Sequence, residues 1–168
     1  MKKHIDALIF DFGGVLTLPQ DPGCLKTMAE LCGVTAGKFR EAYITDRLAL
    51  DRGDMEVGEY YERILGFLAD DGKPAPGDGT IPRLLELDLY SWARENTEMA
   101  AFVRRLKAGG YPLGLLSNMP SYFLPKLQAL MPAFRLFDAE VFSCDAGLVK
   151  PEPAIYLKAL EALGAAVQ

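Results

Sequence analysis

Histidine is almost missing from this chain: His4 is the only one in 168 residues. A six-residue strand spans roughly 20 Å, and His4 stands at the far end of the first apolar run from Asp11, the acid that closes it. Serine–histidine–aspartate relays, cysteine–histidine pairs and histidine-bound metals are thereby excluded at that acid. Cysteine is scarce as well. Cys24, Cys32 and Cys144 show no CxxC spacing, so neither a zinc site nor a disulfide framework is expected, and the thiols read as reduced core residues. There is no Lys/Arg run, and the formal charge is −5. Nucleic acid and anionic membrane surfaces therefore have no electrostatic footprint here. No apolar run reaches membrane-spanning length. Asp6 and Asp11 interrupt the N-terminal apolar segment, unlike a secretion signal. A soluble, cytoplasmic protein is the expectation. Its catalysis would have to rest on carboxylates, a lysine, hydroxyls and backbone amides, with or without a hard metal ion.

What is present starts with hydrophobic residues, 50% of the chain, enough for one core with a modest insert. The most informative stretch is Ile5-Asp6-Ala7-Leu8-Ile9-Phe10-Asp11-Phe12-Gly13-Gly14-Val15-Leu16. It reads as a strand from about Ile5 to Phe10, apolar at both parities, as in a strand covered on both faces. A carboxylate at the carboxyl end of such a strand stands where open α/β sheets hold ligands. The glycines after it let backbone N–H groups approach an anion. A carboxylate facing an anion must attack it or share a metal with it, because repulsion alone would empty the site. The plainer reading is that Asp11 caps the turn that follows.

After a turn at Pro19–Gly23, residues 25 to 88 carry helical stripes. Leu25, Met28, Ala29 and Cys32 make the first. Phe39, Ala42, Tyr43, Asp46 and Leu50 make the second, with one polar break. Val57, Tyr60, Tyr61, Ile64, Leu65 and Leu68 make the third, and Ile81, Leu84, Leu85 and Asp88 a weaker fourth after a Gly/Pro-rich break at 72–79. The tyrosines read as core rather than ligand contacts. Beyond residue 95 the order becomes helix, strand (Tyr111–Leu116), helix from Pro120, short strand (Ala139–Phe142), loop and last helix. The expected fold is α/β: a doubly wound, Rossmann-like parallel sheet, residues 1–17 and 94–168, with residues 18–93 as an inserted helical domain.

Three strand ends then deliver three kinds of chemistry. The first gives Asp11. The second gives Ser117 and Asn118, a hydroxyl and amides able to hold anionic oxygens. Past the third comes Lys150, a point cation on a flexible stem. Each alone is a common turn or loop feature. In order, at three strand ends, they describe a phosphate pocket.

The order Asp11-Phe12-Gly13-Gly14-Val15-Leu16, then Leu115-Leu116-Ser117-Asn118, then Val149-Lys150-Pro151-Glu152-Pro153-Ala154-Ile155-Tyr156 resembles the haloacid dehalogenase-like hydrolases over essentially the whole chain. The insert looks like that superfamily's C1 cap. Its stretch Arg52 to Tyr61 is most similar to sugar-phosphate phosphatases of the α-D-glucose-1-phosphatase kind and to the N-terminal domains of epoxide hydrolases. The resemblance implies that Asp11 is a nucleophile forming an aspartyl-phosphate. It implies Mg²⁺ on the Asp11 carboxylate and the Gly13 carbonyl. Phe12, Gly13, Gly14, Ser117 and Asn118 would hold the phosphoryl group, and Lys150 would neutralise charge. The implied substrate is a small phosphorylated metabolite.

Two departures qualify this. Most such phosphatases carry a second Asp two residues after the nucleophile, as general acid and base; here it is Gly13. A positioned proton donor is worth roughly 10²- to 10⁴-fold on a poor leaving group, so the proton would come from water or the cap. Dehalogenases also lack that acid, which makes 2-haloacid dehalogenation the second reading, with Arg40 or Arg47 on the substrate carboxylate. The family also continues into a fourth strand whose acids complete the metal shell, and the sequence ends at Gln168. The expectations are weak Mg²⁺ binding, a substitute ligand at Asp145 in the best case, and a first strand exposed for dimerisation or swapping. A non-catalytic phosphoryl-binding member is the third reading.

Overall fold

Residues 5–69, 77 and 79–165 are described by the computed structural model; His4 and most of the 72–79 break lie outside them. Three parallel strands form one sheet in the order β1-β2-β3: β1 (Leu8–Phe10), β2 (Leu113–Ser117) and β3 (Ala139–Phe142). Leu8 pairs with Leu113 and Gly114 with Ala139. All five residues of β2 are buried, as an unbroken apolar run in a central parallel strand should be. Gly114 lacks a Cβ for a packing reason: one would sit 2.8 Å from Leu163 Cδ1.

The first strand is shorter than its apolar run. Ordered pairing begins where the Leu8 amide donates to the Pro112 carbonyl at 3.0 Å. It is also not covered on both faces. Among the described residues β1 pairs only with β2, and Ile9 is exposed.

Between β1 and β2 lie α1 (Pro22–Leu31), α2 (Ala36–Thr45), α3 (Arg47–Arg52), α4 (Val57–Ala69), α5 (Thr80–Trp92) and α6 (Thr97–Ala108). After β2 come α7 (Leu124–Leu130), β3, α8 (Ser143–Ala146) and α9 (Pro153–Ala162). Two boundaries differ from the periodicity. The second stripe is two helices, because the chain breaks at Asp46. The helix expected from Pro120 starts at Leu124; the Pro120 carbonyl accepts from the Phe123 and Leu124 amides in a preceding turn.

Two large apolar clusters form. One packs β1, β2, α6 and α7 together through Leu16, Val103, Leu115, Phe123 and Phe134. The other joins α1, α2, α4 and α5 through Met28, Phe39, Tyr60, Tyr61 and Leu84. Each large side chain removed from water contributes about 1.5–3 kcal/mol. A third, smaller cluster of Leu116, Val141, Ile155 and Ala159 seats α9 on the sheet. The chain leaves the sheet and returns beside itself: Leu18 N–H donates to the Arg94 carbonyl and Asn96 N–H to the Leu16 carbonyl, each at 2.8 Å. This paired crossing sets helices α1–α5 over the carboxyl ends of the strands, where the site lies.

Candidate active site

Asp11 follows β1 in extended conformation (φ −83°, ψ 161°). Its Oδ1 accepts from the Phe12 amide at 2.7 Å and from Lys150 Nζ at 2.6 Å. Its side chain is 46% exposed, and no described residue bonds its other oxygen. Capping of the turn and pairing with Lys150 thus coexist. The ammonium also donates to the Leu116 carbonyl at 3.2 Å. Asn118 fixes the lysine loop from both sides: its Oδ1 accepts from the Lys150 amide at 2.8 Å, and its Nδ2 donates to the Lys150 carbonyl at 3.2 Å. Ser117 is buried, and its hydroxyl donates to the Asn118 carbonyl at 3.1 Å. Three strand ends therefore meet, as the sequence order implied.

The glycine loop divides its tasks. Gly14 has φ +75°, a region costly to any residue with a Cβ. Its amide donates to Thr17 Oγ1 at 3.1 Å, and it does not line the cavity described next. Gly14 shapes the turn instead of facing a ligand. Phe12 does border the cavity, but its ring is buried 5.2 Å from that of Phe134 and its amide is held by Asp11.

The cavity measures about 320 Å³. Asp11, Gly13, Ser117, Asn118 and Lys150 supply its sheet side. Tyr43, Arg47 and Asp51 face them from α2 and α3, and Leu89 and Trp92 from α5; Met119, Phe123 and Leu127 complete an apolar wall. Position 13 has a neighbour the sequence did not announce: a Cβ there would stand 2.9 Å from Trp92 Cζ3. Any side chain at 13 drives into the indole. Gly13→Ala should lower stability by about 1–3 kcal/mol through overpacking. Urea melts of Gly13→Ala, Trp92→Leu and the double variant check this, with the double variant recovering part of the loss.

Behind the cavity lies a buried polar cluster. Asp88 is fully buried on α5. It accepts from Tyr43 Oη (2.7 Å), Tyr61 Oη (2.8 Å) and Arg47 Nη1 (3.1 Å). Arg47 also donates to Tyr43 Oη at 2.6 Å and, through Nε, to Asp51 Oδ1 at 3.0 Å. Burial and the Asp88 charge hold the Tyr43 hydroxyl well above its ordinary range. Burial pushes the Asp51 carboxyl up against the pull of Arg47, and Asp88 adds to the push. Tyr60 and Tyr61 are core, as expected, while Tyr43 serves both core and cavity wall.

Of the two arginines named as candidate carboxylate receptors, Arg47 reaches the cavity; Arg40 lies at a separate surface pocket beside Pro22 and Phe39. Asp145 is not among the residues lining the cavity; its Oδ1 faces Cys144 Sγ at 3.8 Å. No cluster of three or more His, Cys, Asp or Glu side chains occurs among the described residues. Asp11 and Gly13, both on the cavity wall, offer oxygens of the kind that suit a Mg²⁺ ion shared with a substrate phosphate.

A family model for haloacid dehalogenase-like hydrolases matches residues 5–168. The chain belongs to the haloacid dehalogenase-like hydrolases. A family enzyme from Bacteroides thetaiotaomicron is similar to this hydrolase over 98% of this chain and 81% of its own, at 20% identity and TM-score 0.70. A dehalogenase matches over 100% and 75%, at 21% identity and TM-score 0.70. A phosphatase of the family from Thermococcus onnurineus matches over 96% and 73%, at 20% identity and TM-score 0.58. At these identities the likeness is one of fold. No curated protein matches the sequence.

Proposed function

We propose that this hydrolase cleaves phosphate monoesters of small organic molecules, with Asp11 as nucleophile. The observation that carries the reading is the Asp11–Lys150 pair, 2.6 Å apart on the wall of the cavity. The ammonium offsets the charge that a carboxylate and a phosphoryl group would otherwise set against each other. Ser117 Oγ and the Asn118 amide lie at the next strand end as donors for phosphoryl oxygens. Asp11 has one oxygen free to bond phosphorus, and Asn118 keeps the lysine loop in register while it does so. The Asp11 carboxylate and the Gly13 carbonyl would hold Mg²⁺ together with the substrate. When bound, the ion draws charge from the phosphoryl oxygens. A structure of the Bacteroides relative complexed with magnesium and inorganic phosphate supports these as the kinds of ligand by analogy.

Dehalogenation is the weaker reading on a specific ground. Arg47, the cation that would receive a substrate carboxylate, is already paired with the fully buried Asp88 at 3.1 Å, and its Nε is spent on Asp51 Oδ1. The cap side of the cavity is therefore poor in unspent positive charge. The test is direct: hydrolysis of p-nitrophenyl phosphate with and without Mg²⁺, beside chloride release from chloroacetate. Mg²⁺-dependent phosphate release is expected. Chloride release in its place would transfer the attack of Asp11 from phosphorus to carbon, and neither product would leave a binding protein.

A further inference from the structure

Position 13 cannot supply a proton to a departing alcohol, and Trp92 fills the space where an acid there would stand. Water aside, the leaving group must take its proton from another wall of the same cavity. Among the residues lining it, the carboxyls are Asp11 and Asp51, and Asp11 is the nucleophile.

Asp51 is not there by chance of surface placement. Its side chain is 10% exposed. Ser143 Oγ donates to the Asp51 backbone carbonyl and accepts from the Met119 amide (2.8 Å). One hydroxyl therefore ties the end of α3 to the residue that follows Ser117 and Asn118. Gly53, two residues on, has φ +88°, and a Cβ there would lie 3.2 Å from the Cys144 carbonyl. This close approach docks Asp51 onto the strand ends.

Charge arithmetic then decides which acid carries the proton. One guanidinium, Arg47, serves two buried carboxyls. Asp88 receives three donors, one of them the Arg47 guanidinium. Asp51 receives one, from Arg47 Nε. A buried acid with a like charge nearby and few donors is the one that takes up a proton.

We propose that Asp51 is the general acid of this phosphatase, standing on the cap in place of the acid missing at position 13. The inference rests on the phosphatase reading above. As Asp11 Oδ bonds phosphorus, the P–O bond to the leaving group breaks. Its oxygen takes the Asp51 carboxyl proton and departs as the alcohol. In the second half, Asp51 carboxylate takes a proton from the attacking water. The water oxygen bonds phosphorus, the Asp11–phosphorus bond breaks, inorganic phosphate leaves, and Asp51 is an acid again. The groups around it are Arg47 on its own helix, Tyr60 on α4, Asp88 on α5 and Lys150 on the loop before α9, with Tyr43 of α2 on the same cavity wall and bonded to Arg47. On α8, Ser143 holds its backbone, and Cys144 and Asp145 contact each other.

The experiment compares leaving groups. p-Nitrophenolate departs without a proton, whereas the alcohol of an alkyl phosphate such as glycerol phosphate needs one. Asp51→Asn keeps the shape and the bond to Arg47. It should lower kcat/KM for the alkyl ester by roughly 10²- to 10⁴-fold and for the aryl ester by much less, so that their ratio shifts at least about tenfold. Equal losses on both esters, or no loss on the alkyl ester, would overturn the proposal, as would a wild-type protein that cleaves only the aryl ester. If the variant does not fold, the wild-type pH profiles decide. Alkyl-ester turnover should fall as pH rises and Asp51 loses its proton, with no such limb for the aryl ester. A shared limb overturns the proposal. A wild-type protein inert towards both esters refutes the phosphatase reading itself, a different failure.

Discussion

Asp11→Asn should reduce kcat for p-nitrophenyl phosphate by a factor on the order of 10⁴ or more, the scale seen when a covalent nucleophile is removed. An amide oxygen does not form the acyl phosphate, and the neutral side chain no longer matches Lys150. The fold should survive. The Asp11 side chain is 46% exposed, and an Asn carbonyl still accepts from the Phe12 amide, so stability should change by less than about 1 kcal/mol. Parallel measurement of kcat and of urea unfolding separates the two effects. Activity within tenfold of the parent protein would remove Asp11 from the reaction.

Asp88→Ala should act in the opposite way, on stability first. Asp88 is the acceptor for two tyrosine hydroxyls and for Arg47, at a site with no solvent. Its loss leaves Arg47 only its bonds to Asp51 and Tyr43, and leaves Tyr61 without its acceptor. Breaking one partner of a buried ion pair costs about 3–5 kcal/mol, which in a chain of this size is a fall in Tm on the order of 10 °C. Replacing both partners is a different matter. Arg47→Met with Asp88→Leu should lose less than the two single variants sum to, because no unpaired charge is left behind. Thermal melts of the three variants check this. A destabilisation of Asp88→Ala below about 1 kcal/mol would show that the cluster is not held as described.

The same cluster marks the limit of what the sequence made legible. The three strand ends were readable because each carries chemistry at a boundary between an apolar run and a glycine, Asn or Pro signal. The α4 stripe was readable because Val57 to Leu68 keeps helical period without interruption, and the structure gives Val57–Ala69. Asp88 sat in the inner stripe of α5, where an acid reads as a pattern defect. The available signal was chemical: Tyr43 and Tyr61 on buried stripes need acceptors for their hydroxyls, and an acid on a neighbouring stripe provides one. Asp51 gave even less. It lies two residues before Gly53 in a short helix, and only tertiary docking through Ser143 ties it to Met119 after the second strand. Trp92 over Gly13 was equally hidden, since 79 positions separate them in the chain. The first strand was overread for a related reason: Ile5 to Ala7 have strand composition, but pairing starts at Leu8.

Asp11, Lys150 and Asp51 line one cavity but come from three distant segments, and the chemistry turns on whether Asp11 takes the phosphoryl group. Turnover of p-nitrophenyl phosphate with Mg²⁺, quenched in acid within the steady state and mapped by peptide mass spectrometry, measures that step. The prediction is a phosphoryl adduct confined to the peptide that contains Asp11 and absent from Asp11→Asn. Full turnover with that peptide unmodified, or an adduct on another residue, would contradict it.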